Sequence, residues 1–307
     1  MIGNNKNTFL RADKNRKQLR SKLSAQLEAG IVEPSILKSA TNAWKDGNKP
    51  RILLLVPYYT RISRPLDVIL ENIEAKDTDR MFLNSDRAII GNLKDMGITH
   101  LEEMKRAGIP MGLLRIGTLA KKSGYYVKII DAVYEGWEEE REYFKSTEGS
   151  TILSYGLTSI SLANKVKLYK PDVVAITCPY SHQWGNACEV ADLIKQMTPD
   201  VPVIMGGVHS NGLPAEALLT SPIDFVVLGQ ADYTFTELLD VLTGRNSRHL
   251  SEINGIAYRA NGEIVYTKKR SFISDITEIA IPDLSLIDLV PHTNLCKIVG
   301  MDRLPMQ

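Results

Sequence analysis

Apolar residues along this chain gather in short runs that stop at small or polar positions. Ile52-Leu-Leu-Leu-Val56 ends at Pro57, and Tyr126-Val-Lys-Ile-Ile-Asp131 is a second run. Asp172-Val-Val-Ala-Ile-Thr177, Val201-Pro-Val-Ile-Met205 and Asp224-Phe-Val-Val-Leu228 follow. Segments this short and this continuously apolar predict strands covered on both faces, as in a parallel sheet flanked by helices.

Between the runs the spacing becomes helical. Pro110 opens a helix that carries Leu113, Leu114, Ile116 and Leu119 and that Gly124 ends. Thr158 is placed to cap a helix with Ile160, Leu162, Val166 and Leu168, and further helices are predicted over 185–197, 213–220 and 233–242. This alternation gives an α/β fold, a doubly wound Rossmann-like or flavodoxin-like parallel sheet, over residues 50–245.

Three segments depart from the alternation. Residues 58–109 form an interruption far longer than the roughly 2–6 residues of an ordinary strand-to-helix loop. Leu66, Val68, Ile69 and Ile73, then Ile90, Leu93 and Met96, predict a helical insertion there, of the kind that often acts as a lid. The acidic run Glu135, Glu138, Glu139, Glu140 and Glu142 reads as a solvated helix face. In residues 246–307, Asn261-Gly262 between Ile256–Arg259 and Ile264–Thr267 predicts a hairpin, a small antiparallel appendage followed by an extended connection over Ile281–Ile287.

Residues 1–49 read as a basic helical extension. Leu19, Leu23 and Leu27 form a stripe that Gly30 stops, and the first fifty residues hold ten Lys or Arg against four Asp or Glu. The whole chain of 307 residues has a net charge of only +1, which gives no electrostatic case for nucleic acid or an anionic membrane as partner. No run approaches the roughly 18 apolar residues of a membrane span and no secretory signal opens the chain, so a cytoplasmic protein is expected. Cys178, Cys188 and Cys296 are too far apart in sequence to suggest a disulfide framework or a metal pair.

In a doubly wound sheet, ligands lie across the carboxyl ends of the strands. The loops there carry Tyr58 and Tyr59 after the first strand, and Thr177, Ser181 and His182 after the run beginning at Asp172. Gly206, Gly207, Val208, His209 and Ser210 follow Met205, and Gly229 and Gln230 follow Leu228. Glycines let a backbone approach a broad ligand, while hydroxyls and amides serve its polar edges. His182 and His209 follow neighbouring strands and are expected to hydrogen-bond ligand or loop rather than bind metal. Neither a Gly-x-Gly-x-x-Gly turn after the first strand nor a P-loop is present, which speaks against a nucleotide. The absence of a Gly-x-Ser-x-Gly elbow speaks against an autonomous hydrolase. A stand-alone module for a flavin or another small cofactor remains an alternative reading of the same loops.

The order of these pieces resembles the amino-terminal cobalamin-binding domain of the cobalamin-dependent radical S-adenosylmethionine enzymes, of class B methyltransferase type. The resemblance runs over roughly residues 50–290. It is carried by Ile109-Pro-Met-Gly-Leu-Leu114, Tyr126–Asp131, Lys170-Pro-Asp-Val-Val174, Gly206-Gly-Val-His209, Gly229-Gln-Ala-Asp232 and Ile253-Asn-Gly-Ile-Ala-Tyr258. It implies bound cobalamin with its nucleotide base off the cobalt. No protein histidine replaces the base, because the loop Val56-Pro-Tyr-Tyr-Thr-Arg61 lacks the Asp-x-His-x-x-Gly motif of other cobalamin carriers. It also implies methyl transfer to a substrate carbon or phosphorus that a 5′-deoxyadenosyl radical has activated. The family's radical domain holds a [4Fe–4S] cluster on a Cys-x-x-x-Cys-x-x-Cys loop, and this sequence has no such loop. Cleavage of S-adenosylmethionine is therefore expected to require a separate radical subunit, docked near Ile281–Leu289 and the strand ends.

Overall fold

A computed structural model describes residues 48–290 apart from 77–79, 104, 106, 107 and 261. The basic segment with Leu19, Leu23 and Leu27 lies almost wholly outside the described residues, as does Cys296. Strand β1 (Arg51–Val56) is followed by β2 (Tyr59–Pro65), helices α1 (Leu66–Lys76) and α2 (Arg80–Asp95), and β3 (His100–Glu102). Next come α3 (Met111–Lys122), β4 (Tyr126–Asp131), the single turn α4 (Ala132–Glu135), β5 (Glu140–Lys145), β6 (Thr151–Tyr155) and α5 (Ser159–Tyr169). The alternation resumes with β7 (Val173–Thr177), α6 (Trp184–Met197), β8 (Val203–Gly206), α7 (Val208–Gly212) and α8 (Pro214–Thr220). Strand β9 (Phe225–Val227), α9 (Asp232–Leu242), β10 (Ile256–Ala260) and β11 (Glu263–Tyr266) complete the set.

The main sheet has the order β11-β10-β9-β8-β7-β1-β4. From β4 to β9 every neighbouring pair is parallel. Successive side chains of each strand point to opposite faces, so each continuous apolar run feeds two cores. Ile52, Leu54, Val173, Ala175 and Ile204 pack with Leu113 and Leu114 of α3 and Phe235, Leu238 and Leu239 of α9. Leu53, Leu55, Val174, Ile176 and Met205 pack with Leu162 and Val166 of α5 and Val190 and Ile194 of α6 on the other face. The fold is thus the doubly wound α/β sheet that the sequence predicts. Leu54 is fully buried at the centre, and Leu54→Ala is expected to cost about 2–5 kcal/mol, read as a lower urea midpoint at an unchanged slope.

The chain leaves β1 for β4 on one side and returns to β7 on the other. This reversal puts the topological switch point, where doubly wound sheets bind ligands, between β1 and β7. Helix placement follows local chemistry. The Thr158 hydroxyl accepts from the Ser161 amide at 3.1 Å to start α5, and Lys170 ends it in a left-handed turn at φ 53°.

Three sequence expectations change. The 58–109 segment holds helices α1 and α2, but β2 and β3 also join β6 and β5 in a second, antiparallel sheet of order β3-β2-β6-β5. The acidic run is not a helix face. Glu140 and Glu142 lie on β5, where partners decide the conformation: Glu140 meets Arg61 at 2.8 Å and Lys105 at 3.2 Å. The hairpin is not an appendage either, because β10 pairs antiparallel with β9 and so extends the main sheet. Arg259 of β10 is buried there beside Asp224, at 4.0 Å. The connection after the hairpin is also partly docked: Leu286 and Ile287 are buried in the core, and the Asp283 amide donates to the Thr118 hydroxyl of α3 at 2.8 Å.

Candidate functional site

Five parallel strands deliver Val56, Asp131, Thr177, Gly206 and Val227 to one edge of the sheet. Two adjoining cavities open along this edge and share Gly112, Leu113, Thr177 and Gly207 as a common wall. The first, about 300 Å³, is wedged between the ends of β7–β9 and helices α3 and α9. Its lining is mostly small or apolar, including Ala175, Ile204, Gly206, Gly229, Ala231 and Phe235. The second, about 360 Å³, lies over β1, β4 and β7 and is walled by Tyr59, Met111, Tyr134, Pro179, Tyr180 and Val208.

The glycines of this edge divide into two kinds. Side-chain carbons built at Gly112, Gly206 and Gly229 would meet no atom within 4 Å, so these three residues line the first cavity without filling it. Gly207 differs: at φ 109°, a β-carbon would stand 2.5 Å from the carbonyl oxygen of Cys178. Its role is the close approach of the β8 loop to the β7 loop, rather than room for a ligand.

Polar groups at the edge are few. Asp131 ends β4, lines the second cavity and is almost wholly buried, and its Oδ1 accepts from the Val133 and Tyr134 amides at 3.0 and 3.2 Å. Burial raises its titration to about 7, against the lowering effect of those two amides, with nearby Glu135 adding to the rise. Gln230 holds the Ile273 amide through Oε1 at 2.7 Å, and its own amide nitrogen makes no hydrogen bond among the described residues. Arg115 of α3 reaches Asp232 of α9 across the first cavity's wall.

Of the sequence-selected residues, Tyr59, Thr177, Gly206, Gly207, Val208, Gly229 and Gln230 line the paired cavities. The others do not. Tyr58 turns to the opposite core, donates its hydroxyl to Glu189 and carries the Arg141 guanidinium over its ring at 5.2 Å. Ser181 and His182 form an exposed 3-10 turn, with His182 stacked on Tyr180 at 5.4 Å. His209 is buried against Trp184 at 4.7 Å, so the two histidines do not converge. Ser210 is buried and bonds to the Gly207 carbonyl at 3.3 Å. Trp184 belongs to the core. Cys178 is buried, and burial pushes its thiol up to about 12.

Asp131, Arg115, Asp232 and Gly112 escaped the sequence reading of the site. The signal for Asp131 was available, since it closes an apolar strand run in the same way as Thr177. Arg115 and Asp232 are 117 residues apart, and only the packing of α3 against α9 brings them together.

Residues 101–239 match the family described as B12 binding domain. This region is similar to B12-binding domains. The match begins beyond the helices that follow β2, and so leaves out β1. The chain is 31% identical over 183 residues to the uncharacterized methyltransferase PH0819 of Pyrococcus horikoshii, covering 59% of this chain and 35% of that protein. It is also 31% identical over 157 residues to cytidylyl-2-hydroxyethylphosphonate methyltransferase of Streptomyces wedmorensis, covering 51% and 28%. The chain thus spans about a third of the length of these curated relatives. Among solved structures, the cobalamin-dependent S-adenosylmethionine radical enzyme OxsB, with aqua-cobalamin and S-adenosylmethionine bound, superimposes with a TM-score of 0.49 at 13% identity, over 84% of this chain and 30% of that one. The match supports cobalamin as a ligand. Among the described residues, no helix is long and apolar enough to cross a membrane, and no group of three or more His, Cys, Asp or Glu is placed to hold a metal ion.

Proposed function

We propose that this chain holds cobalamin as the cofactor-binding part of a radical S-adenosylmethionine methyltransferase-type enzyme. The observation that carries this reading is the set Gly112, Gly206 and Gly229, each facing open space in one cavity behind the strand ends. A cavity lined largely by glycines and apolar side chains fits a nucleotide tail, while the adjoining cavity fits the edge of a flat macrocycle. Tyr59, Met111, Tyr180 and Val208 give that second cavity apolar walls, and the Gln230 amide and Thr177 hydroxyl serve the polar fringe. When bound, cobalamin supplies a cobalt–carbon bond from which a methyl group is transferred. The chain's own part is to hold and shield; cleavage of S-adenosylmethionine at a [4Fe–4S] cluster is assigned to a separate subunit or region bearing the cysteine loop.

No histidine is among the described residues that line either cavity, in keeping with a cofactor that takes no protein histidine on cobalt; the base-off state is part of the same proposal. Reconstitution with hydroxocobalamin is expected to give near-stoichiometric binding. Electron paramagnetic resonance of the Co(II) form should show no nitrogen superhyperfine splitting. Splitting would contradict the base-off, histidine-free assignment, and a yellow protein that takes flavin but no corrinoid would overturn the reading as a whole.

A further inference from the structure

The first cavity is lined mostly by small and apolar groups, with Thr177 and Gln230 as uncharged polar members. Among the described residues its charged lining is Arg115 and Asp232, and they face each other. Nη2 of Arg115 donates to both carboxylate oxygens of Asp232 at 2.7 Å, and Nε donates to Oδ1 at 3.2 Å. These bonds occupy one side of the planar guanidinium and hold it against the wall. The remaining nitrogen, Nη1, makes no hydrogen bond among the described residues. The Asp232 side chain is only 6% exposed, whereas that of Arg115 is 29% exposed, so the carboxylate is covered and the guanidinium is the open member of the pair.

A pair of this kind is a costly way to tie two helices, because both ions lose water and an apolar contact would serve as well. It is an economical way to present a fixed cation edge inside an apolar slot. Helix α9 also begins at Asp232, and its N-cap Ala231 gives no side-chain cap. The Asp232 carboxylate lies in that first turn and offsets the helix's positive end, so the open edge of the Arg115 guanidinium is the positive charge this wall presents.

We propose that Arg115, held in place by Asp232, binds the phosphodiester of a nucleotide tail inserted into this cavity and so makes the site select complete cobalamin over tail-less corrinoids. The inference rests on the cobalamin reading above and assigns a specificity residue within it. Arg115 binds and selects, and Asp232 positions it. Because Asp232 neutralises part of the cation, it also limits how strongly the anion is held.

The test compares hydroxocobalamin with hydroxocobinamide, which lacks the phosphodiester, ribose and base, by spectroscopic titration of the full chain. Wild type is expected to prefer cobalamin. Arg115→Gln should lose about 10- to 100-fold in cobalamin affinity, the worth of a charged hydrogen bond, while its cobinamide affinity is unchanged. Arg115→Lys should retain part of the preference, and Asp232→Asn should increase it. Should Arg115→Gln fail to fold by circular dichroism, the other two variants decide the matter in the same directions. Equal loss of both corrinoids in the variants would make the pair a helix clamp and overturn the assignment while leaving cobalamin binding intact. Equal affinity of the wild type for both would do the same. Binding of neither by the wild type would remove the assignment together with the reading beneath it.

Discussion

Replacing Gly206 by leucine is expected to reduce cobalamin affinity by at least about 100-fold while the protein stays folded. The residue ends β8 at the cavity mouth, and a β-carbon there meets nothing within 4 Å. A leucine side chain therefore enters the space of about 300 Å³ that the tail would occupy, and it displaces no protein atom on entry. Gly206 is not among the glycines with positive φ, so backbone strain does not confound the result. The neighbouring position should behave in the opposite way. Gly207→Val combines a φ of 109° with a β-carbon 2.5 Å from the Cys178 carbonyl oxygen, so the loss should be of folding, by several kcal/mol or roughly 3 and above. Thermal melting alongside cofactor titration separates the two. A Gly206→Leu protein that binds normally would place the ligand elsewhere, and a stable, weakly binding Gly207→Val protein would return the tail-facing role to Gly207.

This contrast marks how far the sequence could be read. The strands of the main sheet were legible because five continuous apolar runs have few conformations open to them once both faces need cover. The cleft was legible for the same reason, since the residues after each run must lie at its carboxyl end. A dipeptide such as Gly206-Gly207 shows only that two side chains are missing. Which glycine faces a ligand and which faces the Cys178 backbone depends on the distance between two loops, and that is a tertiary quantity. Tyr58 and Tyr59 were divided by alternation: adjacent residues leaving a strand turn to opposite faces, so one enters the core beside Leu162 and the other the cleft. The second sheet was missed because β2, β3 and β5 carry no continuous apolar run. Glu140, Arg141 and Glu142 adopt an extended form through pairing with β6 and through Arg61 and Lys105, and the local sequence contains none of that information.

Asp131 was missed too, and it should give the protein a measurable dependence on pH. Its carboxyl lies at the end of β4 on the cavity floor, almost fully buried, near Glu135 of α4 and Tyr59 of β2. Burial lifts its titration to about 7, so the native state prefers the protonated form and the unfolded chain, at about 4, does not. The stabilising preference is fully present below pH about 4, falls as pH rises, and is gone above about 7. Asp131→Asn cannot ionise, yet its side-chain oxygen can still accept from the Val133 and Tyr134 amides and cap α4. Relative to wild type it should therefore gain stability between pH 4 and pH 7, levelling at up to roughly 4 kcal/mol above neutrality. Urea midpoints of the two proteins at pH 5 and pH 8 provide the measurement. A difference that stays constant across that interval would mean that Asp131 keeps one charge state throughout and that the cleft floor is far better solvated than its burial implies.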